Sequence, residues 1–180
     1  MLISAAYRAE QRRLHETTEY GVASLQFAPI VSNLIDSLEV NTVLDYGAGR
    51  GNLLQGMKTR PPQRTVEIEL YDPAVPAISM PPGPAELVTC IDVLEHIEPE
   101  LLANVLDDLH RLAGAYVFLT VHTGPAKKTL SDGRNAHLTQ QPASWWLPRL
   151  LERWELMEAK KIGPGFIFIG ATRLRLEIAR

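Results

Sequence analysis

Cys90 is the only cysteine among 180 residues, so no disulfide framework is available and the chain reads as one suited to a reducing compartment. Long apolar runs are missing too. Stretches such as Ala115 to Val121 fall well short of the ~20 residues that span a bilayer, and no membrane span is expected. The start, Met1-Leu2-Ile3-Ser4-Ala5-Ala6, has no basic n-region and soon meets Arg8, Glu10, Arg12 and Arg13. No secretory signal is therefore expected, and the expected localisation is cytoplasmic. Nor is there a surplus of positive charge: 18 Lys and Arg against 21 Asp and Glu leave a net charge of -3, which argues against nonspecific nucleic-acid binding. With 46% hydrophobic and 22% charged residues, 12 Gly and 13 Pro, the composition is ordinary globular usage and excludes collagen-like and low-complexity classes. The length fits one domain, residues 1–180.

What is present is an alternation of short apolar runs with helical patterns. Residues 4–16 read as a mostly polar helix. Residues 25–38 read as an amphipathic one, with Phe27, Ile30, Val31, Leu34, Ile35 and Leu38 on one face. Together they form an expected N-terminal helical cap over residues 1–40, centred on His15 to Gly21. Thr42 to Tyr46 reads as a strand, followed by a glycine-rich turn and a helix opening at Asn52. Val66 to Leu70 is a second strand. The segment Pro73 to Pro84 is too rich in proline for a helix interior or a central strand. Leu87 to Ile91 is a third strand. Pro99 to Leu112 is a helix with Leu102, Val105, Leu106, Leu109 and Leu112 on one face and Pro99 in its first turn. Ala115 to Val121 is a fourth strand, and residues 122–141 form a long polar loop of the kind that carries function. Pro142 to Arg153 restarts a helix. Glu155 to Ile162 and Gly165 to Thr172 read as a hairpin joined at Gly163-Pro164-Gly165. Strands alternating with helices imply a mainly parallel α/β sheet ending in an antiparallel pair.

The run Asp45-Tyr46-Gly47-Ala48-Gly49-Arg50-Gly51 places an acid at a strand end and glycines at alternate positions, so the backbone can approach a ligand closely and turn into a helix. The spacing is GxGxG rather than the GxGxxG of a dinucleotide fingerprint, and the acid two residues earlier suits a cationic ligand instead of a pyrophosphate. This pattern resembles the class I S-adenosylmethionine-dependent methyltransferases, whose first motif, (D/E)xGxGxG, is matched by Asp45, Gly47, Gly49 and Gly51. Two further landmarks follow in order: Asp72, in Tyr71-Asp72-Pro73 at the end of the second strand, and the stretch Leu87 to Ile97, close to the (D/E)VLEH(I/V) form. The resemblance implies a Rossmann-like sheet and S-adenosyl-L-methionine as cofactor. It also implies a cofactor site at Asp45, Gly47, Ala48, Gly49, Asn52, Tyr71, Asp72, Pro73 and Ile91. Between Tyr71 and Leu87 one βα unit of the usual fold is trimmed, so adenine contacts cannot be carried over.

Asp92, Glu95 and His96 stand at i, i+3 and i+4, which on a helical turn would place two carboxylates and an imidazole on one face. Such a set suits a divalent Mg, Mn, Fe or Zn ion. The spacing resembles the ExxEH element of small-RNA 3′-end 2′-O-methyltransferases and ubiquinone-pathway O-methyltransferases, where a later histidine completes a metal site; Asp92 replaces their first glutamate. His137, in the long loop, is preferred over His122 as that histidine. A metal-free VLEH turn is the competing reading. His96 and His137 are then the base candidates. His15 and His110 lie in predicted helices and read as solvated or packed residues.

Amino-group DNA methylation is set aside because Ile91-Asp92-Val93-Leu94 offers no (D/N/S)PP(Y/F/W) loop. Carbon-5 methylation is set aside because Cys90 sits in a buried-type strand. Trp145 and Trp146 are candidates for stacking on a base or sugar, with core packing the commoner fate of one of them. Lys127, Lys128 and Arg134 are candidates for gripping a phosphate or carboxylate. The expected function is methyl transfer from S-adenosylmethionine to a hydroxyl on a small metabolite, sugar or nucleotide end. The alternative is an accessory or regulatory protein that holds the cofactor without transferring methyl, and the oligomeric state is open.

Overall fold

The computed structural model describes residues 1–17 and 22–178; positions 18–21 of the expected N-terminal cap lie outside the described residues. Six strands form one sheet in the order β2-β1-β3-β4-β6-β5. They are β1 (Thr42–Tyr46), β2 (Glu67–Tyr71), β3 (Ala85–Ile91), β4 (Ala113–His122), β5 (Glu155–Ile162) and β6 (Gly165–Ala171). The first four run parallel, and β6 pairs antiparallel with both β4 and β5. The expected mainly parallel sheet with a C-terminal antiparallel hairpin is therefore what forms.

The apolar runs read as strands because helices cover both faces of the sheet. Successive side chains alternate. Leu44, Tyr46, Val88, Cys90, Val117 and Leu119 join one core, and Val43, Leu87, Ile91, Tyr116 and Phe118 join the other. The first core is closed by α4 (Leu102–Leu112) and α5 (Ala143–Leu151). All five expected residues of α4 are buried, and each such burial is worth roughly 1.5–3 kcal/mol. Pro99 opens a separate short 3₁₀ turn, Pro99–Leu101, ahead of that helix.

The second core is closed by α2 (Ser24–Leu38) and α3 (Asn52–Met57). Here the expected face of α2 needs correction. Phe27, Val31 and Ile35 are buried, but Ile30 is exposed, and the small residues Ala28 and Ser32 are buried on that face. The contact stripe runs along the 27, 31, 35 and 28, 32 rows, its middle about 130° around the helix from Ile30. Gly56 of α3 shows why this side needs small residues: a Cβ there would meet the Ala28 Cβ at 2.7 Å.

Two features position the site. The chain leaves β1 toward β2 on one side of the sheet and returns to β3 on the other, which opens a crevice at the carboxyl ends of the strands. In addition, between β2 and β3 there is only the short turn Pro76–Ile78, so β2 forms the sheet edge and the expected trimming holds. Helix α1 (Ala5–Thr17) lies beside this crevice, tied down from several directions. Ser4 N–H donates to Glu98 Oε2 at 2.8 Å, Ser131 N–H and its hydroxyl both donate to Glu10 at 2.9 Å, and the Arg50 guanidinium donates to the His15 carbonyl at 2.8 Å. A last helix, α6 (Arg173–Ile178), has no counterpart in the sequence reading. No helix among the described residues is long and apolar enough to cross a membrane.

Candidate active site

A cavity of about 570 Å³ opens at the carboxyl ends of β1 to β4. The glycine turn after β1 forms its floor. Gly47 and Ala48 both donate their N–H groups to the Tyr71 carbonyl, at 2.8 and 3.0 Å, so the turn is anchored to the end of β2. Gly47 has φ +78°, and a Cβ there would lie 2.5 Å from Val93 Cγ2; only glycine meets both demands.

Two carboxylates flank the turn in different states. Asp72 accepts from Gly49 N–H at 3.0 Å and from Ala74 N–H at 2.8 Å, so it staples the turn after β1 to the segment after β2. Asp45 is 3% exposed. Its Oδ1 accepts from the Thr89 hydroxyl at 3.0 Å, while Oδ2 is buried with no hydrogen-bond partner among the described residues. Burial pushes its carboxyl up to about 7, against the pull of the Thr89 hydrogen bond and with help from the Asp72 charge. An orphaned carboxylate oxygen on a cavity wall is suited to a ligand that brings a donor or a positive charge.

The part of the lining that follows β3 and β4 carries histidines. His96 Nδ1 lies 2.8 Å from the Ala136 carbonyl, and His137 Nδ1 lies 2.7 Å from the Gly124 carbonyl. A carbonyl only accepts, so both Nδ1 atoms carry the proton and both Nε2 atoms carry the lone pair. The His137 ring sits 4.7 Å from that of His96 and 4.8 Å from that of His122. Burial pushes His96 down to about 3, with the neighbouring His137 adding to the effect. His137 is lowered by burial as well, against its bond to Gly124. Both imidazoles are neutral near pH 7.

Glu95 is fully buried. Its Oε1 accepts from His122 N–H at 2.8 Å, and Oε2 is buried with no hydrogen-bond partner among the described residues. Burial first, and the Asp92 charge second, hold its carboxyl well above the usual carboxylate range. One donor atom each from Glu95, His96 and His137 lie within 4.8 Å of one another.

The four residues expected to converge are thus three. Asp92 does not belong to that cluster, because no helical turn starts there: its φ is +52°, and the 3₁₀ turn begins at Leu94. The Asp92 carboxylate instead accepts from the Thr120 hydroxyl at 2.6 Å, which ties the end of β3 to β4. Asp92, His96, His122 and His137 all line the cavity.

Of the residues expected to hold a cofactor, Asp45, Gly47, Ala48, Gly49, Asp72, Pro73 and Ile91 line the cavity, while Asn52 and Tyr71 do not. Tyr71 contributes its carbonyl to the turn and packs its ring 5.1 Å from that of Tyr46. Asn52 opens α3 outside the crevice. Neither Trp145 nor Trp146 lines the cavity. Trp146 is fully buried, and Trp145 stacks under the Arg149 guanidinium at 3.6 Å. Arg134 is occupied by Asp132 at 2.7 Å, whereas Lys127 and Lys128 stand at the cavity.

Sequence reasoning missed His15. Its Nε2 lies 3.8 Å from Asp72 Oδ2, and a Cβ on Gly49 would touch its Cε1 at 2.9 Å. The signal was the 3, 7, 11, 14 spacing of Ile3, Tyr7, Gln11 and Leu14, all buried, which puts His15 beside an inward-facing stripe.

The sequence model of one family, described as "Methyltransferase domain", matches residues 16–162. The chain belongs to that family. No curated protein matches it significantly. Among solved structures it is similar to an O-methyltransferase family protein from Burkholderia thailandensis, with 15% identity and a TM-score of 0.61, covering 93% of this chain and 58% of that one. It is also similar to magnesium protoporphyrin IX methyltransferase from Synechocystis PCC 6803 with bound S-adenosylhomocysteine (14% identity, TM-score 0.55, covering 93% of this chain and 95% of that one). A third likeness is to 1,6-didemethyltoxoflavin-N1-methyltransferase from Burkholderia thailandensis with bound 1,6-didemethyltoxoflavin and S-adenosylhomocysteine (14% identity, TM-score 0.62, covering 93% of this chain and 88% of that one). At these identities the likenesses show the fold, and the chain spans less than two thirds of the first of these relatives.

Proposed function

We propose that this methyltransferase-family chain, residues 1–180 acting as one domain with 122–141 as its active-site loop, takes S-adenosylmethionine into the cavity. It then transfers the methyl group to a hydroxyl oxygen of a small molecule, sugar or nucleotide end. The observation that carries this reading is the placement of two unlike walls in one cavity. The glycine turn with Asp45 and Asp72 and the lone-pair-bearing imidazoles of His96 and His137 line the same cavity. In this arrangement Asp45 Oδ2 receives the ligand's ammonium group, and Asp72, whose oxygens keep further lone pairs, accepts from the ribose hydroxyls. The histidine wall holds the acceptor hydroxyl in line with the methyl group.

The chemistry of the donor set fits a divalent ion at Glu95, His96 and His137. Glu95 brings a buried oxygen that has no partner, and both imidazoles are fixed through Nδ1 as ligating histidines are. Two imidazoles with one carboxylate favour Mn, Fe or Zn over Mg. An ion there would lower the acceptor hydroxyl's pKa. Without one, the neutral His137 imidazole takes the hydroxyl proton at Nε2, a reading favoured by its Nδ1 bond to the Gly124 carbonyl, which leaves the Nε2 lone pair for the acceptor, and by its position on the cavity wall. The test is labelled methyl transfer to a panel of hydroxylated acceptors, with and without EDTA. Transfer lost in EDTA and restored by Mn, Fe or Zn supports the metal-assisted form. Transfer that survives EDTA assigns the step to His137, and absence of transfer to any hydroxyl counts against the reading.

The state of Asp45 gives a pH signature. Its carboxyl titrates at about 7 in the empty protein, and a cationic ligand favours the ionised form. Affinity for S-adenosylmethionine should therefore rise with pH, by about five- to tenfold between pH 6 and 7.5, below the range where the ligand's own amine loses its proton. Calorimetry in buffers of different ionisation enthalpy should show a proton released on binding at pH 6, and Asp45→Asn should flatten the profile.

A further inference from the structure

Helix α1 turns a polar stripe toward the cavity. Tyr7, Gln11 and His15 are spaced by four residues and all three line it, so each stands about 6 Å along the helix from the next. His15 marks the cofactor end of the stripe, against Gly49 and Asp72. Tyr7 marks the other end, in one apolar cluster with Leu130 and Ala136 of the loop that carries His137. Gln11 lies between them, one helical turn from each.

Gln11 is 7% exposed, and its Nε2 is buried with no hydrogen-bond partner among the described residues. A buried donor left unpaired costs stability. A helix pinned by Glu98, Ser131 and Arg50 leaves it little freedom to turn away. The surroundings say what it waits for. The cavity lining includes the apolar side chains Val93, Ile97 and Val105, and its segment 125–128 brings two cations, Lys127 and Lys128. The missing partner is therefore an acceptor oxygen, and the two lysines favour one that carries negative charge, on a molecule whose remainder is largely apolar.

We propose that Gln11 selects the methyl acceptor. Its Nε2 donates to a carbonyl or carboxylate oxygen next to the hydroxyl that receives the methyl group, on a small apolar compound. This rests on the methyltransferase reading and deepens it by naming the acceptor class. His15, one turn nearer the glycine loop, serves the cofactor end of the stripe.

The experiment measures binding of salicylate and phenol to the full chain saturated with S-adenosylhomocysteine, in EDTA so that chelation plays no part. Salicylate has a carboxylate beside its hydroxyl, and phenol has none. Native protein should prefer salicylate by about tenfold or more, the scale of one charge-assisted hydrogen bond. Gln11→Met, close in shape and apolar, should erase that preference while leaving S-adenosylhomocysteine affinity nearly unchanged. The melting temperature of the empty chain should hold or rise by about 2–4 °C, because an unpaired buried donor has been removed; a structural glutamine would give a fall. Gln11→Glu provides a second variant of equal size and should turn the preference against salicylate. A preference that survives both substitutions overturns the proposal. So does absence of any preference in the native protein, or an S-adenosylhomocysteine affinity that drops tenfold in Gln11→Met, which would assign Gln11 to the cofactor. Failure of the native chain to bind S-adenosylhomocysteine would instead overturn the methyltransferase reading beneath it.

Discussion

Replacing His137 with alanine is expected to lower methyl transfer by about a hundredfold or more, while S-adenosylmethionine affinity stays within a few-fold of native. The asymmetry follows from the geometry. His137 is held by the Gly124 carbonyl at 2.7 Å and stands beside His96 and His122, in the part of the cavity proposed to hold the acceptor. The cofactor contacts proposed here lie at the glycine turn. Either role open to His137, as a ligand or as a base, depends on its Nε2 lone pair. Single-turnover transfer and calorimetry on the same variant separate the two quantities. A loop histidine that only packs would leave turnover nearly intact.

The second large effect is expected at Asp72. Asp72→Ala removes the acceptor for two backbone N–H groups, those of Gly49 and Ala74, and each such charge-assisted bond is worth about 1.5–3 kcal/mol. It also removes the proposed partner of the ribose hydroxyls. Affinity for S-adenosylmethionine should fall by about tenfold or more, and the glycine turn should loosen from the end of β2. Asp72→Asn keeps one acceptor oxygen and should fall between the two. Equal affinity in Asp72→Ala and native protein, measured by calorimetry, would detach this carboxylate from the cofactor.

Much of this architecture is legible in the chain because its determinants are local. The run Asp45 to Gly51 requires left-handed backbone at three glycines, and positive φ occurs at all three, Gly47, Gly49 and Gly51. The α4 stripe from Leu102 to Leu112 is regular enough to place a helix and its buried face together. Residues Pro73 to Pro84 announce a missing βα unit because proline cannot supply the ladder donors or the helix interior.

What was not legible depends on tertiary placement. Spacing alone put Asp92 on a turn with Glu95 and His96, but the bond to Thr120, 28 residues away, and the left-handed kink set its carboxylate apart. Helix α1 read as polar because its inward stripe includes Gln11 and His15, residues whose burial makes sense only against a cavity built by distant segments. Trp145 and Trp146 looked like stacking candidates, yet the core beneath α5 claims one and Arg149 covers the other.

The most direct test of the central claim is a calorimetric titration of the full chain with S-adenosylmethionine at pH 7.5. The account predicts saturable binding at one site, weakened at least about tenfold by Asp72→Ala and little changed by His137→Ala. An absence of binding by the native chain, or binding that ignores Asp72, would contradict it.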